Sequence, residues 1–206
     1  MIAIIDYGMG NLRSVQNAVD YCGYDPVVTC DPAVIADATH IIVPGVGAFG
    51  DAIANLRARG LDGVLHREVR ERGKPTLGVC VGMQVMAATG LEHGRHEGLG
   101  WFDAEVVRID PTAALLKIPH MGWNPVTLLR PHPVFARMKP THLVFYFVHS
   151  FHMRCRQPDV VLGTASYGEA LTAAIAVDNI VATQFHPEKS QDSGIELLEG
   201  FLRWNP

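Results

Sequence analysis

Three side chains in this sequence have the types and spacing of a nucleophile, its base and an orienting acid. Cys80 sits in Gly78-Val-Cys-Val-Gly82, after an apolar run and before a helix-like segment. Gly-x-Cys-x-Gly has the form of the nucleophile elbow, with sulfur in place of a serine oxygen. Glycines let the backbone fold tightly there, and the strained central residue is projected above a sheet. A helix N-terminus generally favours thiolate over thiol. The N–H of Val81, the residue after the nucleophile, is an oxyanion donor by position. Taken alone, the same pattern also fits a small buried residue at a tight junction.

A nucleophile needs a base. Gln184-Phe-His-Pro-Glu-Lys-Ser190 follows a second apolar run, Ile180–Thr183. Pro187 disfavours helix at His186 and holds the segment extended. His186 and Glu188, two apart, then fall on one side of the chain. A carboxylate there accepts a hydrogen bond from one ring nitrogen and turns the other toward a thiol. The competing reading is a capped strand end with solvated charges. Two more pieces favour chemistry. Pro44-Gly-Val-Gly47 follows a third apolar run, and the backbone around Val46 and Gly47 offers N–H groups for an oxyanion hole. Gln84 lies one helical turn past Cys80 and is placed to hold a polar substrate.

These residues need a scaffold. Short apolar runs alternate with amphipathic ones: strands at 1–6, 25–30, 39–44 and 75–79, helical stretches at 11–21, 51–69 (broken or joined at Gly60 and Gly63) and 82–89. That order predicts an α/β fold with a mostly parallel central sheet and helices on both faces. Beyond Gly90 the texture changes to strands at 105–109, 126–129, 143–149, 160–165, 171–177 and 180–184, several of them antiparallel, and a closing helix at 193–204. No repeat, linker or low-complexity tract interrupts 206 residues, so a single domain over 1–206 is expected.

Composition narrows the function classes. Net charge is −4 with no Lys/Arg run, which argues against nucleic acid. No apolar run approaches the ~20 residues of a membrane helix, and the N-terminal MIAIID lacks the basic flank of a signal peptide. Four cysteines with no C-x-x-C pair fit a reducing cytoplasm. Gly8-Met-Gly10 lacks the third glycine of a dinucleotide fingerprint, since Arg13 stands there. The pairs His93/His96 and His149/His152 have no acid or cysteine at zinc spacing. Neither cofactor nor metal is expected.

TLGVCVGMQ, PGVG, PHMGWN, YFVHSF and QFHPEKSQ, in this order, resemble the class I glutamine amidotransferases. Within that family, DYGMGN, PHMGWN and HPEKSQ are similar to the glutaminase subunits that serve imidazole glycerol phosphate synthase in histidine biosynthesis; the likeness covers essentially the whole chain. The resemblance implies a flavodoxin-like fold and a triad of Cys80, His186 and Glu188. It implies L-glutamine held by Gln84 and by backbone at Gly47 and around His149, Ser150 and Phe151. It also implies a heterodimer with a (β/α)8 cyclase subunit, which receives the ammonia and makes imidazole glycerol phosphate and AICAR. Val81 replaces a common leucine and Phe151 a frequent tyrosine, whose hydroxyl is lost. In Pro119-His-Met-Gly-Trp-Asn124, read as a loop, Trp123 is either an aromatic anchor in the partner or a packed core residue. Met121 and Asn124 accompany it, and Asn11 is a further candidate contact. Two alternatives are a non-catalytic relative on the same scaffold, against which the intact triad speaks, and a glutaminase serving another acceptor.

Overall fold

The computed structural model describes residues 1–110 and 116–206. An eight-stranded sheet carries the fold. Its strands are β1 (Ile2–Ile5), β2 (Pro26–Thr29), β3 (His40–Val43), β4 (Thr76–Val79), β9 (Thr127–Leu128), β12 (Val161–Tyr167), β13 (Glu169–Val177) and β14 (Ile180–Thr183), in the order β2-β1-β3-β4-β14-β13-β12-β9. From β2 to β14 neighbours run parallel; β13, β12 and β9 extend the sheet antiparallel. Every residue of β1, β3, β4 and β14 is buried. Only a sheet covered on both faces supports four-residue runs without an exposed position, as parallel strands require.

The covering helices follow their apolar periods. Helix α1 (Leu12–Tyr21) buries Val15, Ala18 and Val19, and packs on β1, β2 and the closing helix α6 (Gln191–Leu202). Helix α3 (Phe49–Ala58) packs on the next helix, α4 (Leu61–Leu65). Gly60, with φ of 65°, makes the break between them, whereas Gly63 lies inside α4, which runs on into a π-helical turn at His66–Glu71. Helix α2 (Pro32–Asp37) was not expected. Its signal is local all the same: Asp31 accepts a hydrogen bond from the Ala33 N–H at 2.8 Å, and Pro32 occupies the first turn.

Two expectations are corrected. The helix expected over 82–89 is the single turn α5 (Val81–Gln84), and the chain then becomes strand β5 (Ala87–Gly90). The carbonyls of Val85, Met86 and Ala87, which a longer helix would use internally, accept instead from Leu99, Trp101, Phe102 and Gly100. Strand β5 joins β6 (His96–Glu97), β7 (Phe102–Arg108) and β11 (Phe151–Cys155) in a second sheet, ordered β11-β7-β5-β6. The PHMGWN segment is not a loop but strand β8 (His120–Pro125), paired antiparallel with β10 (Val144–His149). Along β8 burial alternates: His120, Gly122 and Asn124 face inward, while Met121, Trp123 and Pro125 are exposed. That period of two is the signature of a ribbon with one face on the protein.

Candidate active site

Three neighbouring parallel strands deliver the site. Strand β4 lies between β3 and β14, with Gly78 opposite Val43 and Val79 opposite Thr183. The segments leaving their carboxyl ends therefore emerge together: Pro44–Gly47 from β3, Cys80 from β4 and Gln184–His186 from β14. Such a crevice is where open α/β sheets bind ligands. The Cys80 N–H donates to the Thr183 carbonyl at 2.7 Å, which ties the elbow to the β14 exit.

The backbone of Cys80 has φ of 55° and ψ of −110°, strained for a residue with a Cβ. The cause is the turn from strand into helix within one residue: Met83 and Gln84 already donate to the Cys80 carbonyl. Gly82 is obligatory, because a Cβ there would run into the Val43 carbonyl. Gly45 is nearly as confined: its Cβ would stand 2.6 Å from the Gly82 nitrogen and from the Tyr7 hydroxyl. That hydroxyl donates to the Pro44 carbonyl at 2.6 Å. Its pKa is raised, first by burial and then by the charge of Cys80, so Tyr7 remains a neutral donor that holds the Pro44–Gly47 turn beside the elbow.

His186 is extended (φ −101°, ψ 98°), and Pro187–Lys189 then closes a 3-10 turn that swings Glu188 back onto it. The Glu188 Oε1 lies 2.8 Å from His186 Nδ1, with both side chains about 2% exposed. Burial alone would lower the imidazole pKa. Interaction with the Cys80 sulfur and with Glu188 outweighs it and lifts the value to about 10. His186 is thus an imidazolium at neutral pH. Its Nε2 is buried without a hydrogen bond of good geometry, so the sulfur acts on it through charge and proximity. The segment is pinned from below: the His186 N–H donates to the Tyr146 carbonyl, Ser190 Oγ donates to the His186 carbonyl at 2.6 Å, and Phe185 stacks on Phe145.

A cavity of about 400 Å³ opens over these groups, lined by Cys80, Val81, Gln84, His149, Phe151 and His186 among others. Val46, Gly47 and Ser150 also reach it. The Gln84 amide donates to the Phe151 carbonyl and to Gln184 Oε1, both at 3.0 Å. His149 donates from Nδ1 to the same carbonyl at 2.9 Å. Burial, foremost, holds His149 at a pKa of about 3, with His120, His152 and His186 adding to the depression against the Phe151 hydrogen bond; it is neutral.

The structure thus brings together Cys80, His186, Glu188, Val46, Gly47, Val81, Gln84, His149, Ser150 and Phe151. The four residues expected to meet a partner do not share one face. Met121 and Trp123 are exposed on the outer face of β8, Trp123 edge-on to Tyr146 of β10. Asn124 points the other way, its amide committed to His120 and to the Ser166 carbonyl. Asn11 precedes α1 and makes no side-chain capping bond. Sequence reasoning assigned no role to Tyr7, Glu92, Pro119 or Gln184. Glu92 and Pro119 line the cavity, and Glu92 accepts from the Phe49 N–H at the start of α3. Gln184 Nε2 lies 3.6 Å from Cys80 Sγ. A usable signal existed for Gln184 alone, since it is two residues before His186 on an extended segment.

The family model described as glutamine amidotransferase class-I matches residues 3–203. The chain is 59% identical to imidazole glycerol phosphate synthase subunit HisH 2 of Nitrobacter winogradskyi, over 100% of this chain and 99% of that one. It is 49% identical to the protein of Moorella thermoacetica named imidazole glycerol phosphate synthase subunit HisH, over 97% and 93%. Among solved structures, PurLQS from Thermotoga maritima superposes with a TM-score of 0.73 at 17% identity, covering 98% of this chain and 96% of that one, which speaks to the fold alone. The chain belongs to the class I glutamine amidotransferase family.

Proposed function

We propose that this chain is the glutaminase subunit of imidazole glycerol phosphate synthase, a single catalytic domain over residues 1–206 acting in the cytoplasm. It hydrolyses L-glutamine to glutamate and ammonia and hands the ammonia to a (β/α)8 cyclase subunit. The observation that carries this reading is the strained Cys80 at the β4 exit, facing an imidazolium that Glu188 holds at 2.8 Å. The near-complete coverage at 59% identity supports the assignment to histidine biosynthesis.

The chemistry follows from the charge state of His186. Its proton is present at the start, and in the proposed cycle the Cys80 sulfur attacks the side-chain carboxamide carbon as the thiolate partner of that imidazolium. The oxyanion that forms is met by the Val81 N–H and by backbone of the Val46–Gly47 turn. As the tetrahedral species collapses, His186 Nε2 delivers its proton to the departing nitrogen and ammonia leaves. A thioester remains. The now neutral His186 takes a proton from water, the hydroxide attacks the thioester, and glutamate departs as sulfur regains its charge and His186 keeps the proton. Glu188 holds Nδ1 throughout and stabilises the cation. Gln84 and the His149–Phe151 backbone hold the amino-acid end. The exposed Met121 and Trp123, with Asn11, face the cyclase; aromatic anchors of this kind dominate binding energy at interfaces.

Cys80→Ala in the complex with the cyclase tests this. Glutamine-dependent synthesis should vanish while synthesis from added ammonia persists. Undiminished glutaminase activity in the alanine variant removes the thioester from the mechanism and the function with it.

A further inference from the structure

A line of hydrogen bonds runs from the partner-facing ribbon to the nucleophile, and its direction is determined at every link. It is best read backward from the site. The Phe151 carbonyl can only accept, so His149 Nδ1, 2.9 Å away, carries the proton. His149 is neutral, so its Nε2 is a bare lone pair. His120 Nδ1, 2.9 Å from that nitrogen, must therefore donate. Burial keeps His120 neutral as well, at a pKa of about 4, so its Nε2 accepts. The donor is Asn124 Nδ2 at 3.0 Å, whose other hydrogen goes to the Ser166 carbonyl. On the inner side the Phe151 carbonyl is shared with Gln84, which also bonds Gln184, which lies against Cys80 Sγ.

A buried polar network needs no function to exist, since buried groups find partners. Two observations separate this one from mere satisfaction. His152, equally buried and close to His149, makes no ring hydrogen bond among the described residues and only approaches Glu169 Oε1 at 3.9 Å through Nε2, so hydrogen bonding is not general among the buried histidines here. The strand that supplies His120 and Asn124 on its inner face presents Met121 and Trp123 on its outer face. His120 is further clamped between the Phe147 and Tyr167 rings, at 4.7 and 4.2 Å. Phe147 belongs to the ribbon and Tyr167 to β12, so a shift of the ribbon against the main sheet moves the His120 ring relative to Tyr167.

We propose that Asn124, His120 and His149 form a polar relay of fixed direction that transmits the position of the β8–β10 ribbon to the Phe151 carbonyl and, through Gln84 and Gln184, to the Cys80 sulfur. His120 and Asn124 are then positioning residues that couple partner docking to the nucleophile; this coupling rests on the function proposed above, but the relay itself does not.

Two measurements test it on the full chain. In protein labelled with 15N-histidine, His120 and His149 should both appear as neutral rings protonated on Nδ1, the less common tautomer. A proton on Nε2 of either ring overturns the relay irrespective of enzymatic activity. The second compares glutaminase rates with and without the ligand-loaded cyclase, which the proposed function expects to raise them. His120→Phe keeps the ring stack and deletes both hydrogen bonds; the stimulated-to-basal ratio should fall at least tenfold while the dissociation constant for the cyclase changes less than threefold. His120→Asn retains a donor toward His149 and should recover part of the ratio, and it serves alone if the Phe variant does not fold. Wild-type ratios in these variants refute the coupling. A wild-type chain with no glutaminase activity under any partner would instead refute the proposed function, and the tautomers would still decide the relay.

Discussion

Replacing Glu188 by Gln keeps the size and one acceptor oxygen but removes a charge held 2.8 Å from His186 Nδ1. At ~1.4 kcal/mol per pH unit, the rise of the imidazole from 6.5 to about 10 is a net preference for the cation on the order of 5 kcal/mol, left after burial has opposed the contributions of Cys80 and Glu188. The variant loses the carboxylate share, so the imidazole pKa falls and the proton needed for departing ammonia is held less firmly. The corresponding acid-to-amide change in a serine-protease triad costs roughly 10⁴ in kcat. A loss of 10²- to 10⁴-fold in kcat is expected here, read as glutamate release with the cyclase present. Stability supplies an independent reading. The folded pKa lies above the unfolded one, so the stabilisation is fully present below about pH 6.5 and is lost as pH rises through about 10. The wild-type melting temperature should therefore decline across that window, and Glu188→Gln should start lower and decline less. A variant with kcat within threefold of wild type and the same pH profile of melting would refute the reasoning from charge.

Two further substitutions probe the scaffold and the ribbon. Gly82→Ala drives a Cβ into the Val43 carbonyl of a buried strand that cannot yield; a loss of about 3 kcal/mol or more is expected in chemical denaturation, and wild-type stability would show the elbow to be looser than its contacts imply. Trp123 is 47% exposed and lies edge-on to Tyr146, so Trp123→Ala should cost only about 1–2 kcal/mol of stability. It should weaken cyclase binding by ~2 kcal/mol in calorimetry, and unaltered affinity would take Trp123 out of the interface.

Local signals in the sequence were sufficient for the parts of this protein that local physics decides. Strands β1, β3 and β4 announce themselves because continuous apolar runs bounded by turns have no stable alternative to burial. The Cys80 elbow is legible because only glycines tolerate its close contacts, as the Gly82–Val43 approach confirms. The His186–Glu188 pairing is legible because extended chain repeats every two residues. Asp31-Pro32 carries a local cap signal for α2 as well. Other features depend on partners distant in the chain. The segment expected to be helical over 82–89 stops after one turn and becomes strand β5 from Ala87 because residues 99–102 capture the carbonyls of 85–87. PHMGWN is a strand because β10 pairs with it, and that pairing decides that Trp123 faces out while Asn124 faces in. Most of all, the adjacency of Cys80 and His186 follows from β14 lying parallel beside β4, across a hundred residues of intervening chain. The protonation pattern of His120 and His149 exists only once burial has made both rings neutral and a carbonyl has chosen the first donor. Residue types and short spacings carry the chemical capacity; long-range pairing and desolvation decide which of those groups meet and which atom holds each proton.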